Sequence, residues 1–311
     1  MTLILLFVGF ILVALLVLYG MFYIIFRRNG STNKDDRVTP KGEQYEIHAE
    51  VIRRAVNRVL PVPFEEVSIT SRDGLKLYGR YYHHKDGAPL GIFFHGYRSG
   101  PILDGNGGYL ICERRGYNVL IVTQRAHGKS EGNVMTFGIR ERLDCLDWIT
   151  YANERFGREI PIILMGMSMG AATVLMAAGE ELPENVKGVI ADSPFTAPGD
   201  IIRTVMKDYK LPVRLMYPLA KLSAKVFGRF DLEETSAREA VKKSKIPILF
   251  IHGDDDRFVP CQMSRECYEG CGSNKRILTV EGAGHGLSHC VDAVRYEACV
   301  DEFLDEVVGE S

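Results

Sequence analysis

No C-x-x-C pair occurs in this 311-residue chain, and its seven cysteines (112, 145, 261, 267, 271, 290 and 299) are odd in number. That pattern excludes a disulfide framework and suits a reducing compartment. Cys267 and Cys271 fall four apart on an expected helix with Cys261 upstream. A small buried hydrophobe is the commoner use of cysteine, so neither metal nor redox chemistry is read from them. The chain also lacks an H-E-x-x-H, a dinucleotide fingerprint and a P-loop. No metal or organic cofactor is therefore implied. There is no block of lysine or arginine and the formal net charge is only −2, which nominates no nucleic-acid partner. Internal repeats and low-complexity tracts are absent. The most consequential absence is local: from Leu3 to Phe26 there is no charged residue.

That run, residues 3–26, is long enough to cross a hydrocarbon core of about 30 Å as a helix. Tyr19 and Tyr23 stand towards one end, where interfacial rings gather. A cleaved signal peptide would carry a positive residue before the apolar stretch and a small-x-small site after it, and neither is present. The expectation is an uncleaved single-pass anchor over 1–28. A polar juxtamembrane linker over Arg27–Gly42 and a helix over 43–59 complete the segment 29–60, ended by Pro61 and Pro63. Arg27 and Arg28, then Lys34 and Arg37, follow the span, while only the α-amino group precedes it. The positive-inside rule then puts the remainder of the chain in the cytoplasm, at the cell membrane.

What is present after Pro63 is an alternation. Phe64–Thr70 and Leu75–His83 flank Ser71-Arg72-Asp73-Gly74 and predict an antiparallel hairpin. Short apolar runs follow at Leu90–Phe94, Val119–Val122, Ile162–Met165, Val186–Ala191, Ile248–Ile251 and Arg276–Val280, of the kind buried on both faces of a parallel sheet. Helical stretches are expected at 139–157, 169–180, 260–270 and about 290–308. This predicts an α/β domain over 61–311, mostly parallel, with helices on both faces. The connection from Ala191 to Ile248 is too long for a simple crossover. Its apolar stripe (Leu211, Val213, Leu215, Met216, Leu219, Leu222, Val226, Phe227) predicts a small helical lid over about 195–245, with added core as the alternative.

Ligands of open α/β sheets bind beyond the carboxyl ends of the strands. After Ile162–Met165 comes Gly166-Met167-Ser168-Met169-Gly170, a G-x-S-x-G turn followed by an alanine-rich helix. Glycines are needed there because the strand-to-helix turn is strained and tightly packed. After Ile248–Ile251 comes His252-Gly253-Asp254-Asp255-Asp256, and after Arg276–Val280 comes Glu281-Gly282-Ala283-Gly284-His285. Serine, acid and histidine thus follow in the chain order Ser, Asp, His. Ser168 is read as nucleophile, His285 as base and Asp256 as its partner. Asp192, Asp254 and Asp255 are alternative acids, and His289 is an alternative base. His95, His127 and His252 sit beside glycines and are read as structural. The backbone N–H groups of Tyr97, after Leu90–Phe94, and Met169 are placed to receive a developing oxyanion.

From about Phe64 onward the chain resembles the bacterial α/β-hydrolases grouped as serine aminopeptidase-like and prolyl-oligopeptidase-like. The residues that carry the likeness are His95-Gly96-Tyr97, Gln124-Arg125-Ala126-His127-Gly128-Lys129-Ser130, the Ser168 pentapeptide, His252-Gly253 with Asp256 and Val259-Pro260, and Gly284-His285. The resemblance implies Asp256, four residues after the histidine, as the acid. It also has aspartate often where this chain has Thr123, which bears on a supporting loop contact. The expected function is a serine hydrolase acting on a small-molecule or lipid-like acyl substrate, a carboxylic ester first. A peptidase, amidase or thioesterase is the alternative on the same fold, and a non-catalytic membrane binding protein is the alternative of another class.

Overall fold

The computed structural model describes residues 1–28 and 42–309. The expected linker lies almost wholly at 29–41, outside the described residues. Eight strands form one sheet in the order β1-β2-β4-β3-β5-β6-β7-β8. They run β1 Glu65–Thr70, β2 Lys76–Tyr82, β3 Leu90–Phe94, β4 Asn118–Thr123, β5 Ile162–Met167, β6 Val186–Asp192, β7 Ile248–Gly253 and β8 Lys275–Val280. β1 and β2 form the antiparallel hairpin, β2 joins β4 antiparallel, and every later pairing is parallel. β3, β4 and β7 are buried at every position, as the uninterrupted apolar runs require.

The helices are α1 Thr2–Ile25, α2 Glu43–Glu46, α3 Ala49–Val59, α4 Pro101–Arg114, α5 Glu141–Phe156, α6 Met169–Ala177, α7 Pro198–Asp208, α8 Val213–Ser223 (prolonged by a π-turn, Ala224–Gly228), α9 Ala237–Val241, α10 Gln262–Gly270, α11 Ser288–Val291 and α12 Ala293–Val308. One apolar cluster joins α3, α4 and α12 to one face of the sheet. The other joins α5, α6, α9 and α10 to the opposite face. The expected helix over 43–59 is two helices, broken at Ile47-His48. α4 was not legible in the sequence, because Gly105, Gly107 and Gly108 weaken its helical pattern. Packing explains two of them: a Cβ on Gly105 or Gly108 would stand 3.1 Å from the Phe93 ring.

α1 is 24 residues long and mostly exposed, a helix long and apolar enough to cross a membrane. Its last turns are built into the globular part. Leu18, Met21, Phe22 and Phe26 are buried. Phe22 and Tyr19 meet Phe227, at 5.9 and 5.3 Å between ring centroids, and Phe26 meets Phe137 and Phe230. The last carbonyls of a helix lack internal partners. Here Ile25 O accepts from Tyr97 Oη at 2.7 Å and Ile24 O from the Arg98 guanidinium at 2.8 Å.

Candidate active site

The carboxyl ends of β3 and β5 to β8 align along one edge, and the sequence motifs meet there. Ser168 follows β5 and opens α6 with φ 54° and ψ −113°, a strained conformation for a residue with a side chain. Its N–H donates to Asp192 O at 2.8 Å, and its carbonyl accepts from Ala172 N–H at 2.9 Å. The flanking glycines are a steric necessity. A Cβ on Gly166 would stand 2.4 Å from the Gly170 carbonyl carbon, and one on Gly170 would stand 1.9 Å from Phe94 O.

His285 lies in the loop after β8, and its Nδ1 donates to Asp256 Oδ2 at 2.6 Å. Asp256 lies in the loop after β7. Its Oδ1 accepts from Phe258 and Val259 N–H, both at 2.8 Å. Its Oδ2 also accepts from His252 Nε2 at 3.1 Å. His252 Nε2 faces only acceptors, the second being Val259 O at 2.9 Å, so it carries the proton, and Nδ1 accepts from Ser264 Oγ at 2.6 Å. Burial alone would raise the Asp256 pKa. The facing His285 and the hydrogen bonds from His252 and His285 outweigh it and hold the carboxyl well below the usual range. For His285, burial works downward, but the charge and hydrogen bond of Asp256, with Asp192 and Asp104 behind, leave its pKa raised.

Ser168 and His285 line a common cavity of about 660 Å³. No direct Ser168–His285 hydrogen bond is formed in this conformation, and such bonds often tighten only around substrate. Tyr97 follows Gly96 in the loop after β3, and Met169 follows Ser168 at the start of α6. A Cβ on Gly96 would be 3.4 Å from Ser168 Cβ, so the two loops touch. Among the described residues neither amide has a hydrogen-bond acceptor.

The alternative residues bond to other partners, although Asp192 and His289 also line the cavity. Asp192 accepts from Tyr296 Oη at 3.1 Å and Ser193 Oγ at 2.9 Å. Asp254 accepts from Gly282 N–H and Asp255 from Gln44. His289 pairs with Glu297 at 3.0 Å. His95 and His127 brace loops: His95 Nε2 accepts from Gln124 N–H, and His127 Nε2 from Arg98 N–H. Thr123 ends β4, and its carbonyl accepts from Ser130 Oγ at 2.5 Å.

The cavity corrects one expectation. No residue of 195–245 lines it, so the insertion is not a lid over Ser168. Its lining includes Gln44 and Tyr45 of α2, Val51, Ile52 and Ala55 of α3, and Phe93, Met165 and Ile190 of the sheet. The insertion instead packs against α1 and adds Ile201, Ile202, Met206, Tyr217 and Ala220 to the core, the alternative the stripe also allowed. Two participants were missed in the sequence. Asp104 is half-buried in the cavity lining, where its carboxylate accepts from Gly96 N–H at 2.7 Å and Ser99 Oγ at 2.6 Å and braces the loop after β3. The Tyr97 side chain ties that loop to α1. The available signal for Asp104 was an acid in the first turn of a helix starting with proline. Among the described residues no group of three or more histidines, cysteines or acids is arranged to hold a metal ion.

A mostly parallel sheet in this strand order, with a glycine-flanked serine turn at its carboxyl edge, is the α/β-hydrolase architecture, and the chain has the α/β-hydrolase fold. The serine aminopeptidase S33 family model matches residues 111–238, and the TAP-like protein model matches 230–307. The uncharacterized protein YqkD of Bacillus subtilis is 30% identical over 193 residues, covering 62% of this chain and 63% of the relative's length. The lysophosphatidylserine lipase ABHD12 of Danio rerio is 27% identical over 178 residues, 54% of this chain and 43% of that one. Among solved structures, an esterase of Pyrococcus furiosus superposes with a TM-score of 0.67 at 26% identity, covering 81% of this chain and 94% of that one.

Proposed function

We propose that the chain is a serine hydrolase that cleaves carboxylic esters with apolar acyl groups at a membrane. The observation that carries this reading is that His285, bonded to Asp256, shares one apolar-lined cavity with a serine held at a strained turn. Ser168 Oγ attacks the acyl carbon while its proton passes to His285 Nε2. The Asp256 carboxylate holds Nδ1–H and stabilises the imidazolium. The oxyanion takes hydrogen bonds from the Tyr97 and Met169 amides. His285 then protonates the leaving alkoxide, and water activated by the same imidazole releases the acid. The similarity to an esterase and a lipase supports the ester reading. The serine aminopeptidase match keeps amide cleavage as the second reading.

α1 serves in this reading as a single-pass anchor, with the catalytic part on the cytoplasmic side by the placement of Arg27 and Arg28. A fluorophosphonate probe tests the chemistry. Labelling of the full chain that disappears in Ser168→Ala is expected, and labelling that persists refutes the nucleophile. A panel of ester, thioester and aminoacyl substrates then separates the two readings. Protease treatment of intact spheroplasts tests the side: a protected C-terminal part is expected, and digestion without lysis reverses the orientation.

A further inference from the structure

The insertion between β6 and β7 lines no part of the Ser168 cavity, yet it carries four exposed aliphatic residues close together in sequence. Leu211, Leu215, Leu222 and Val226 are exposed at 42, 63, 45 and 46%. Leu215, Leu222 and Val226, spaced seven and four residues apart, lie on one face of α8 and its π-turn extension, and Leu211 stands just before its first turn. The opposite face is satisfied: Tyr217, Ala220, Ser223, Ala224 and Gly228 are buried in the protein. The outer stripe is therefore not the core-facing side of a displaced helix.

Charge frames this stripe with one sign. From Arg203 to Arg229 there are seven basic residues and a single acid, Asp208. Lys221 pairs with Glu233 at 2.5 Å and Arg203 with Asp200 at 2.6 Å. Lys207, Lys210, Arg214, Lys225 and Arg229 are exposed and form no ion pair among the described residues. An exposed apolar line flanked by unpaired cations is the pattern of a helix lying in a bilayer interface.

The position of α8 names the occupant. Phe227 packs on Tyr19 and Phe22, in the last turns of α1. A helix of 24 residues spans about 36 Å, longer than a hydrocarbon core of about 30 Å, so these turns stand at headgroup level. Whatever packs on them is held at that level too.

We propose that α8 and its π-turn form a second membrane contact, an interfacial helix laid on the leaflet from which α1 emerges, with its basic residues on anionic headgroups. The proposal rests on the reading of α1 as an anchor. It gives the 195–245 insertion a role in place of the lid: it fixes the tilt of the hydrolase on the membrane. Arg98, on the rim of the Ser168 cavity, bonds Ile24 O of the same anchor, so the cavity rim lies near that contact.

The chain's single tryptophan, Trp148, is 1% exposed and common to every variant, so the emission that remains after subtracting the parent chain's reports the introduced tryptophan. Three variants of the full chain, Leu12→Trp in α1, Leu222→Trp in α8 and Val294→Trp on α12, are reconstituted separately. The vesicles are phosphatidylcholine with a minor share of phosphatidylglycerol, with and without brominated acyl chains. Leu222→Trp emission is expected to shift to the blue and to lose roughly half its intensity on shallow-brominated lipid, as an interfacial residue should. Leu12→Trp should be quenched by deep bromines and Val294→Trp by neither. Quenching of Leu12→Trp with none of Leu222→Trp overturns the proposal and leaves the anchor standing. Quenching of neither overturns both. Equal quenching of Val294→Trp overturns a defined docking face. Equal Leu222→Trp quenching in phosphatidylcholine alone overturns the part assigned to anionic headgroups.

Discussion

Replacing Asp256 by asparagine changes one atom and almost no volume, and the surrounding hydrogen bonds dictate how the new side chain sits. Oδ1 accepts from two backbone amides, Phe258 and Val259 N–H, which cannot turn away. The asparagine carbonyl must take that place, because an NH₂ there would oppose two donors. The NH₂ then occupies the Oδ2 position, 2.6 Å from His285 Nδ1 and 3.1 Å from His252 Nε2. His252 Nε2 keeps its proton on Val259 O and faces a second donor. His285 can satisfy the new donor only by accepting through Nδ1, which moves its proton to Nε2, the atom that must be bare to take the Ser168 proton. The imidazolium also loses its counter-charge. In hydrolases built this way the combined loss is about 10⁴ in kcat, or about 5.5 kcal/mol. The assay is ester turnover beside fluorophosphonate labelling, with far-UV and thermal melting to establish folding. Asp192→Asn and Asp254→Asn are the matched controls, since those carboxylates bond Tyr296, Ser193 and Gly282 instead. Turnover within tenfold of the parent in a folded Asp256→Asn chain, or a larger loss in Asp192→Asn, refutes the reasoning.

Ser168→Ala should fold and lose on the order of 10⁶ in kcat, read by single-turnover ester cleavage. The raised pKa of His285 means its neutral, proton-accepting form appears only above the ordinary histidine value. The acidic limb of kcat/KM should therefore have a midpoint above about 6.5, and Asp256→Asn should lower it; a limb below that value contradicts the pairing. Tyr97→Phe keeps the backbone amide but removes the 2.7 Å bond to Ile25 O, so kcat should fall about tenfold with KM nearly unchanged, measured on a soluble ester. Gly107 lines the cavity with no atom within 4 Å of a Cβ built on it. Gly107→Leu should therefore depress turnover of long-chain esters relative to short ones while gaining up to about 1 kcal/mol of helix stability, and an unchanged chain-length profile would show that acyl groups lie elsewhere.

Much of this protein is written in short stretches of its sequence. Every strand was legible to within two residues at either end, because a buried parallel strand is a run of apolar residues and nothing distant alters that local signal. The serine turn was legible for the same reason: Gly166 and Gly170 answer to clashes within a few residues and one neighbouring strand. α4 was hidden because its glycines serve the Phe93 ring across the sheet, and a helix pattern read along one segment does not contain that ring. Which of four carboxylates reaches His285 follows in the sequence only from the family resemblance, through the spacing of Asp256 from His252 and Val259. Asp254, Asp255 and Asp256 are adjacent in sequence, and only the turn after β7, pinned by the Phe258 and Val259 amides, aims Asp256 at a histidine 29 positions on. The apolar stripe of the insertion predicts a lid, yet none of its residues lines the Ser168 cavity, because an amphipathic pattern reports that a face is buried or docked and not against what. The tertiary structure sets that face against α1 and gives part of the cavity lining to α3, since which surfaces meet depends on where the sheet brings the ends of distant segments.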